Sequence, residues 1–261
     1  MPGMQPHGVL PISDGRRRYA LEAEQCPRSW RGRGAGESVT AQIAVVPDVQ
    51  TTVEEQLVKS RHRVKTYGEV LTPRHMVHRM LDLVSDDLES GDGFVDKTFL
   101  EPAAGDGSFL VAILQRKLRA IEKKYPREEW PETSLFALAS IYGIELLEDN
   151  HEDAKATMLA TFVRFHEERG VACGPTTNLR RAAAFLIDTN IIRGNTLTGL
   201  DWRGKEIQFS WWNRIEGAPR IVRREPFTFS SLRNGAIDFT VYDDRKPCRI
   251  DKVHDQGGSG A

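Results

Sequence analysis

The chain has 261 residues, 39% hydrophobic and 28% charged, with a formal net charge of −1. That length can bury a full α/β core in one domain, and the near-neutral charge gives no overall nucleic-acid signature. No apolar run approaches a membrane span and no hydrophobic signal core opens the chain, while three scattered cysteines, Cys26, Cys173 and Cys248, are too few for a disulfide framework or a zinc site. The expectation is a cytoplasmic protein with no membrane association and no metal.

Taken in order, residues 1–50 are rich in Pro, Gly and Arg and read as a flexible leader outside the fold. Residues 51–254 form the expected domain, and 255–261 a flexible Gly/Ser tail. A helix is expected at about 51–62. Thr66-Tyr67-Gly68-Glu69-Val70-Leu71-Thr72-Pro73 then leads into a helix over 73–88, with Thr72 as N-cap and Pro73 at its first position. Met76, Val77, Met80, Leu81 and Val84 follow at helical spacing and should pack on a sheet.

A strand over 97–101 runs into the most informative stretch, Leu100-Glu101-Pro102-Ala103-Ala104-Gly105-Asp106-Gly107-Ser108-Phe109-Leu110. Its glycines permit positive φ and close approach of a ligand, and Asp106 and Ser108 can cap the helix expected over 108–125. The spacing fits neither G-x-G-x-x-G nor a P-loop, so pyrophosphate is not the expected guest. Glu101 at the strand tip favours a ligand with a cationic amino group.

Beyond a Pro-bounded loop, a helix over 132–139 precedes a strand over 140–145 that ends in Glu145, a carboxylate suited to a ribose diol. Helices over 150–169 and 177–187 precede a strand over 189–193, closed by Gly194-Asn195-Thr196-Leu197, where Asn195 offers an amide to an adenine edge. Short strands complete the C-terminal part. Alternating strand and helix argues for an α/β fold, a mostly parallel sheet with helices on both faces.

Gly68-Glu69-Val70-Leu71-Thr72-Pro73, the Glu101–Leu110 turn, Gly143-Ile144-Glu145 and Gly194-Asn195-Thr196-Leu197, in that order, resemble the cofactor half of the N6-adenine DNA methyltransferases of restriction-modification systems. The likeness spans roughly residues 60–200. It implies a Rossmann-like fold that binds S-adenosylmethionine and acts on DNA, with a specificity or nuclease subunit as a further partner. Carried over by position, Thr72 and Pro73 line the methionine moiety, and Glu101, Ala103, Gly105 and Gly107 form the pocket floor and wall, with Asp106 at a variable position. Glu145 takes the ribose hydroxyls, and Asn195 stands where relatives more often have Asp.

One departure is large. The Asn/Asp-Pro-Pro-aromatic tetrapeptide that holds the flipped adenine in that family is missing, and the corresponding region reads Glu206-Ile207-Gln208-Phe209-Ser210-Trp211-Trp212-Asn213-Arg214. Either Ser210, Trp212 and Asn213 supply a substitute, or the chain is a degenerate cofactor-binding partner subunit. A third alternative is methyl transfer to RNA, protein or a small molecule. Two basic stretches, Lys59, Arg61, Arg63, Lys65 and Arg214, Arg220, Arg223, Arg224, Arg233, flank the expected mouth and are candidate phosphate contacts.

Overall fold

The structure, a computed structural model, describes residues 57–234 and 246–258. These belong to a compact unit, Val53–Ala261. The expected leader lies outside the described residues. In chain order the helices are α1 (Arg61–Tyr67), α2 (Arg74–Asp82), α3 (Ser108–Lys124), α4 (Trp130–Ala139), α5 (Glu148–Glu167), α6 (Asn178–Asn190) and α7 (Phe229–Asn234). The strands are β1 (Phe99–Glu101), β2 (Ile141–Glu145), β3 (Ile191–Asn195), β4 (Leu200–Asp201), β5 (Gln208–Ile215), β6 (Ala218–Thr228) and β7 (Cys248–Arg249).

The protein is α/β. One sheet runs β1-β2-β3-β4, parallel through β3 and antiparallel at β4. A second, antiparallel sheet runs β5-β6-β7. Because strand side chains alternate, Ile141 and Ile191 on one face join the main core built with α3 to α6, while Tyr142, Ile144 and Ile192 face the other way. Helices were expected on both faces, yet this second face packs against Phe209 and Phe227 of the β5–β6 hairpin and against Phe229. The Tyr142 ring meets Phe209, Trp211 and Phe227 edge-on, and its hydroxyl donates to the Ser210 carbonyl at 2.8 Å. Those aromatics give the hairpin its anchor.

Helix α4 shows how composition sets depth. Beyond Glu132 it carries no charged residue, and every residue from Thr133 to Ala139 is buried. Helix α2 corrects an expectation. Val77 and Leu81 are buried, but Met76, Met80 and Val84 are 43%, 51% and 39% exposed, because α2 ends at Asp82 and packs only its inner stripe against α3. Residues 57–60 are not helical, and α1 starts at Arg61, capped by the Ser60 side chain. At the other end a 3-10 helix covers Ile250–Gly258, which takes in the first four residues of the expected tail.

The start of β1 is fixed by a cation inside the core. Lys117 is fully buried, and its Nζ donates to the Val95 and Lys97 carbonyls and to Ser140 Oγ at 3.1, 2.7 and 2.6 Å. Three acceptors match the three ammonium donors, but burial still pushes the Lys117 amine down to about 7. This clamp ties the turn before β1 to the entry of β2. Among the described residues no helix is long and apolar enough to cross a membrane.

Candidate functional site

At the carboxyl ends of β1, β2 and β3 lies a cavity of about 450 Å³. Strand tips supply Glu101, Glu145 and Asn195, the 102–106 turn supplies its floor, and the segment from Tyr67 to Thr72 forms a further wall. Thus Thr72, Glu101, Ala103, Gly105, Asp106, Glu145 and Asn195 are brought together as the sequence suggested. Pro73 and Gly107 are not among the lining residues.

Pro73 occupies the N-cap position of α2 and offers no side-chain cap, so the expected Thr72 cap is displaced by one residue and Thr72 is left to the cavity. Gly107 serves the turn rather than the ligand. It sits at φ +91°, and a Cβ there would lie 2.9 Å from both Cα and Cβ of Ala154, so it lets the turn rest directly on α5. The N-cap of α3 is Gly107, which brings no side chain to it; Asp106, one residue earlier, accepts from Ser108 N at 3.2 Å through Oδ1, and the Ser108 hydroxyl donates to the same oxygen at 2.7 Å instead of capping the helix.

Glu145 is 6% exposed and braces the turn. Its Oε2 accepts from Gly105 N at 2.7 Å, and its Oε1 accepts from Leu147 N at 2.9 Å and Asn150 Nδ2 at 3.4 Å. A carboxylate has about four acceptor sites, so these bonds leave room for one ligand hydroxyl, not the two expected. Asn195 is similarly committed. Its Oδ1 accepts from Leu197 N at 2.9 Å and Thr198 N at 3.3 Å, which leaves the amide Nδ2 as the group to offer an incoming ring.

Glu101 differs from both. Its Oε1 accepts from Ala103 N at 3.1 Å, and among the described residues no cationic side chain pairs with it. Burial pushes its carboxyl above the usual range. Among the described residues no Lys, Arg or His lines the cavity, which holds the four acids Glu69, Glu101, Asp106 and Glu145. A phosphorylated ligand would meet repulsion there, and a cation would relieve the desolvated Glu101.

Sequence reasoning gave no role to two lining residues, Glu69 and Asn150. Glu69 accepts from Arg63 Nη2 at 2.9 Å and from Asn150 Nδ2 at 2.8 Å. Burial opposes its ionisation, but these donors together hold its carboxyl below the usual range. Asn150 is 1% exposed, and its Oδ1 lacks a hydrogen-bond partner. The only local hints were a carboxylate within the Gly68–Pro73 motif and an amide near the start of α5. Arg63 also pairs with Asp149, holding that carboxyl at about 2, and Lys59 pairs with Asp153 at 2.9 Å. α1 buries no side chain, so these ionic ties help dock it on α5.

The candidate catalytic residues are elsewhere. Ser210 and Trp212 are buried in the hairpin: Ser210 Oγ accepts from Arg224 Nε at 2.8 Å, and Trp212 Nε1 donates to Asn190 Oδ1 at 3.3 Å. Asn213 is exposed and donates to Glu225 Oε2 at 2.7 Å. None of the three lines the cavity. The basic stretches are also partly spent within the chain, since Lys59 and Arg63 bind α5, Arg214 pairs with Asp96 and Arg220 with Glu132. Arg61, Lys65 and Arg223 are exposed, and the Arg233 side chain lies outside the described residues.

No family model matches the chain, and neither a curated protein nor a solved structure does.

Proposed function

We propose that the chain is an S-adenosylmethionine-dependent methyltransferase with a Rossmann-like fold, acting on adenine N6 in DNA. The observation that carries this reading is Glu101, a half-buried carboxylate with no cationic partner among the described residues, in a cavity at three adjacent strand tips that the described residues line with acids and no bases. Such a pocket suits a nucleoside that carries positive charge and no phosphate. Its volume lies within the range of small-molecule sites.

In this reading Glu101 pairs with the methionine ammonium, Glu145 takes one ribose hydroxyl, and Asn195 Nδ2 donates to the base. Leu146 and Leu197, 45% and 87% exposed at the cavity, supply apolar faces for the ring. The bound sulfonium supplies the methyl group. The chain's own part is to exclude water from the turn and to fix the cofactor against the strand tips.

A second reading is a cofactor-binding partner subunit of a DNA modification system. The hairpin favours it, because Ser210 and Trp212 are buried in packing and hydrogen bonds away from the cavity. Sequencing for N6-methyladenine in DNA from cells expressing this chain alone separates the two. Methylated adenine supports the enzyme; its absence, together with cofactor binding by the purified protein, supports the subunit. Labelled methyl transfer to RNA or protein but not DNA would replace both.

A further inference from the structure

Beside the main cavity, and sharing Leu146, Gly194 and Asn195 with it, lies a second hollow of about 410 Å³ whose wall includes Trp202. Trp202 is 60% exposed, so much of its indole is open to solvent. Two guanidinium groups lie near its ring, Arg203 at 4.6 Å and Arg193 at 5.7 Å from the centroid. The turn that carries it is braced. Asp201 Oδ1 accepts from Arg203 N at 2.9 Å and Lys205 N at 2.8 Å, Trp202 N donates to the Arg193 carbonyl at 3.2 Å, and Gly204 closes the bend at φ +76°.

A rigid, wet indole beside planar cations is a surface for another flat, electron-rich ring. The Asp201 carboxylate is engaged with its own turn, and neither Arg203 nor Lys205 pairs with an acidic side chain among the described residues. Arg193 Nε is buried without a hydrogen-bond partner, although its Nη1 meets Glu148 at 2.9 Å. An aromatic flanked by cations that can meet a backbone is the combination that single-stranded nucleic acid uses, with bases stacking and phosphates paired.

We propose that Trp202, with Arg203 and Arg193, is a stacking site for a nucleobase of single-stranded nucleic acid. The hollow adjoins the proposed cofactor pocket, but Trp202, Arg203 and Arg193 do not line that pocket, and the site stands on the indole and its cations, so it survives if the cofactor reading fails. The same ring chemistry could come from the adenine of a free nucleoside, and the two sources give different results.

The test is fluorescence anisotropy of a short labelled single-stranded DNA oligonucleotide with the full chain, its Trp202→Ala and Trp202→Phe variants, and calorimetry of S-adenosylhomocysteine on the same proteins. The indole is exposed, so both variants should unfold at the wild-type temperature. Trp202→Ala is expected to weaken oligonucleotide binding about tenfold or more, and Trp202→Phe to retain most of it. The response to S-adenosylhomocysteine should be the same in all three. Failure of the wild type to bind the oligonucleotide, or equal binding by Trp202→Ala, overturns the proposal. So does a parallel loss of S-adenosylhomocysteine affinity in Trp202→Ala, which would give the ring to the cofactor.

Discussion

Replacing Gly107 by Ala tests whether the glycine turn is shaped by its seat on α5. Two costs add. Residue 107 holds φ +91°, and the left-handed region costs an L-residue about 1–2 kcal/mol. The new Cβ would also sit 2.9 Å from Ala154 Cα and Cβ, well inside the roughly 3.5–4.0 Å carbon–carbon optimum. Its neighbour there includes helix backbone, which does not swing aside, so overpacking adds about 1–3 kcal/mol. The sum is about 2–5 kcal/mol, which for a unit of this size lowers the melting temperature by roughly 5–15 °C. Gly204→Ala is the matched control, since φ is +76° and a Cβ would meet nothing within 4 Å, leaving only the conformational cost of about 1–2 kcal/mol. Thermal unfolding of both variants by circular dichroism decides the matter. If Gly107→Ala melts no lower than Gly204→Ala, the close approach to α5 is not what shapes this turn.

Glu145→Gln keeps the size of the side chain but replaces one acceptor oxygen by an NH₂, leaving the N–H of Gly105 or Leu147 without a partner. Urea denaturation should show a loss of about 1–3 kcal/mol, and an unchanged midpoint would refute the bracing role. Lys117 predicts a pH dependence. Its folded value of about 7 lies below the ordinary 10.5, so between those pH values the unfolded chain holds a proton that the folded one has released. Stability therefore rises from about pH 7 towards pH 10, and Lys117→Met should flatten that rise; a wild-type curve already flat over this window contradicts the assignment. Arg63→Ala removes the cation that pairs with Glu69, helps hold its carboxyl below the usual range and docks α1, and should weaken S-adenosylhomocysteine binding severalfold in calorimetry while barely moving the melting temperature, because α1 buries no side chain. A large drop in melting temperature would show that α1 is part of the core.

Much of the fold is legible in local pattern. The apolar run of Ile141-Tyr142-Gly143-Ile144 and the helical spacing of Leu110, Ile113, Leu114 and Leu118 each specify an element that the structure contains. Element ends shift where long-range packing decides. Thr72 looks like a cap by residue type, yet helix α2 begins after Pro73, and Met76 and Met80 keep helical spacing on a side that α3 does not reach. The β5–β6 hairpin turns at Glu216-Gly217, with Gly217 at φ +74°, but Pro226 and the tryptophan pair obscure its length from sequence. Its cover over Tyr142 joins residues 68 positions apart. The site follows the same rule. The three strand tips are visible as motifs, whereas the pairing of Glu145 with Gly105, 40 residues away, and of Asn150 with Glu69, 81 away, exists only after folding. The bond from Gly105 turns Glu145 from a free ligand into a group already half engaged, while Asn195 is engaged locally, by the Leu197 and Thr198 amides.

The proposed function requires the acidic crevice at three strand tips to take a cationic, phosphate-free nucleoside. Isothermal titration calorimetry of the full chain with S-adenosylmethionine and, separately, with ATP tests it most directly, repeated on Glu101→Gln. Binding of S-adenosylmethionine that falls about tenfold or more in Glu101→Gln, with no heat from ATP, is the predicted result. Binding of ATP in preference to S-adenosylmethionine, or no response to either, would contradict it.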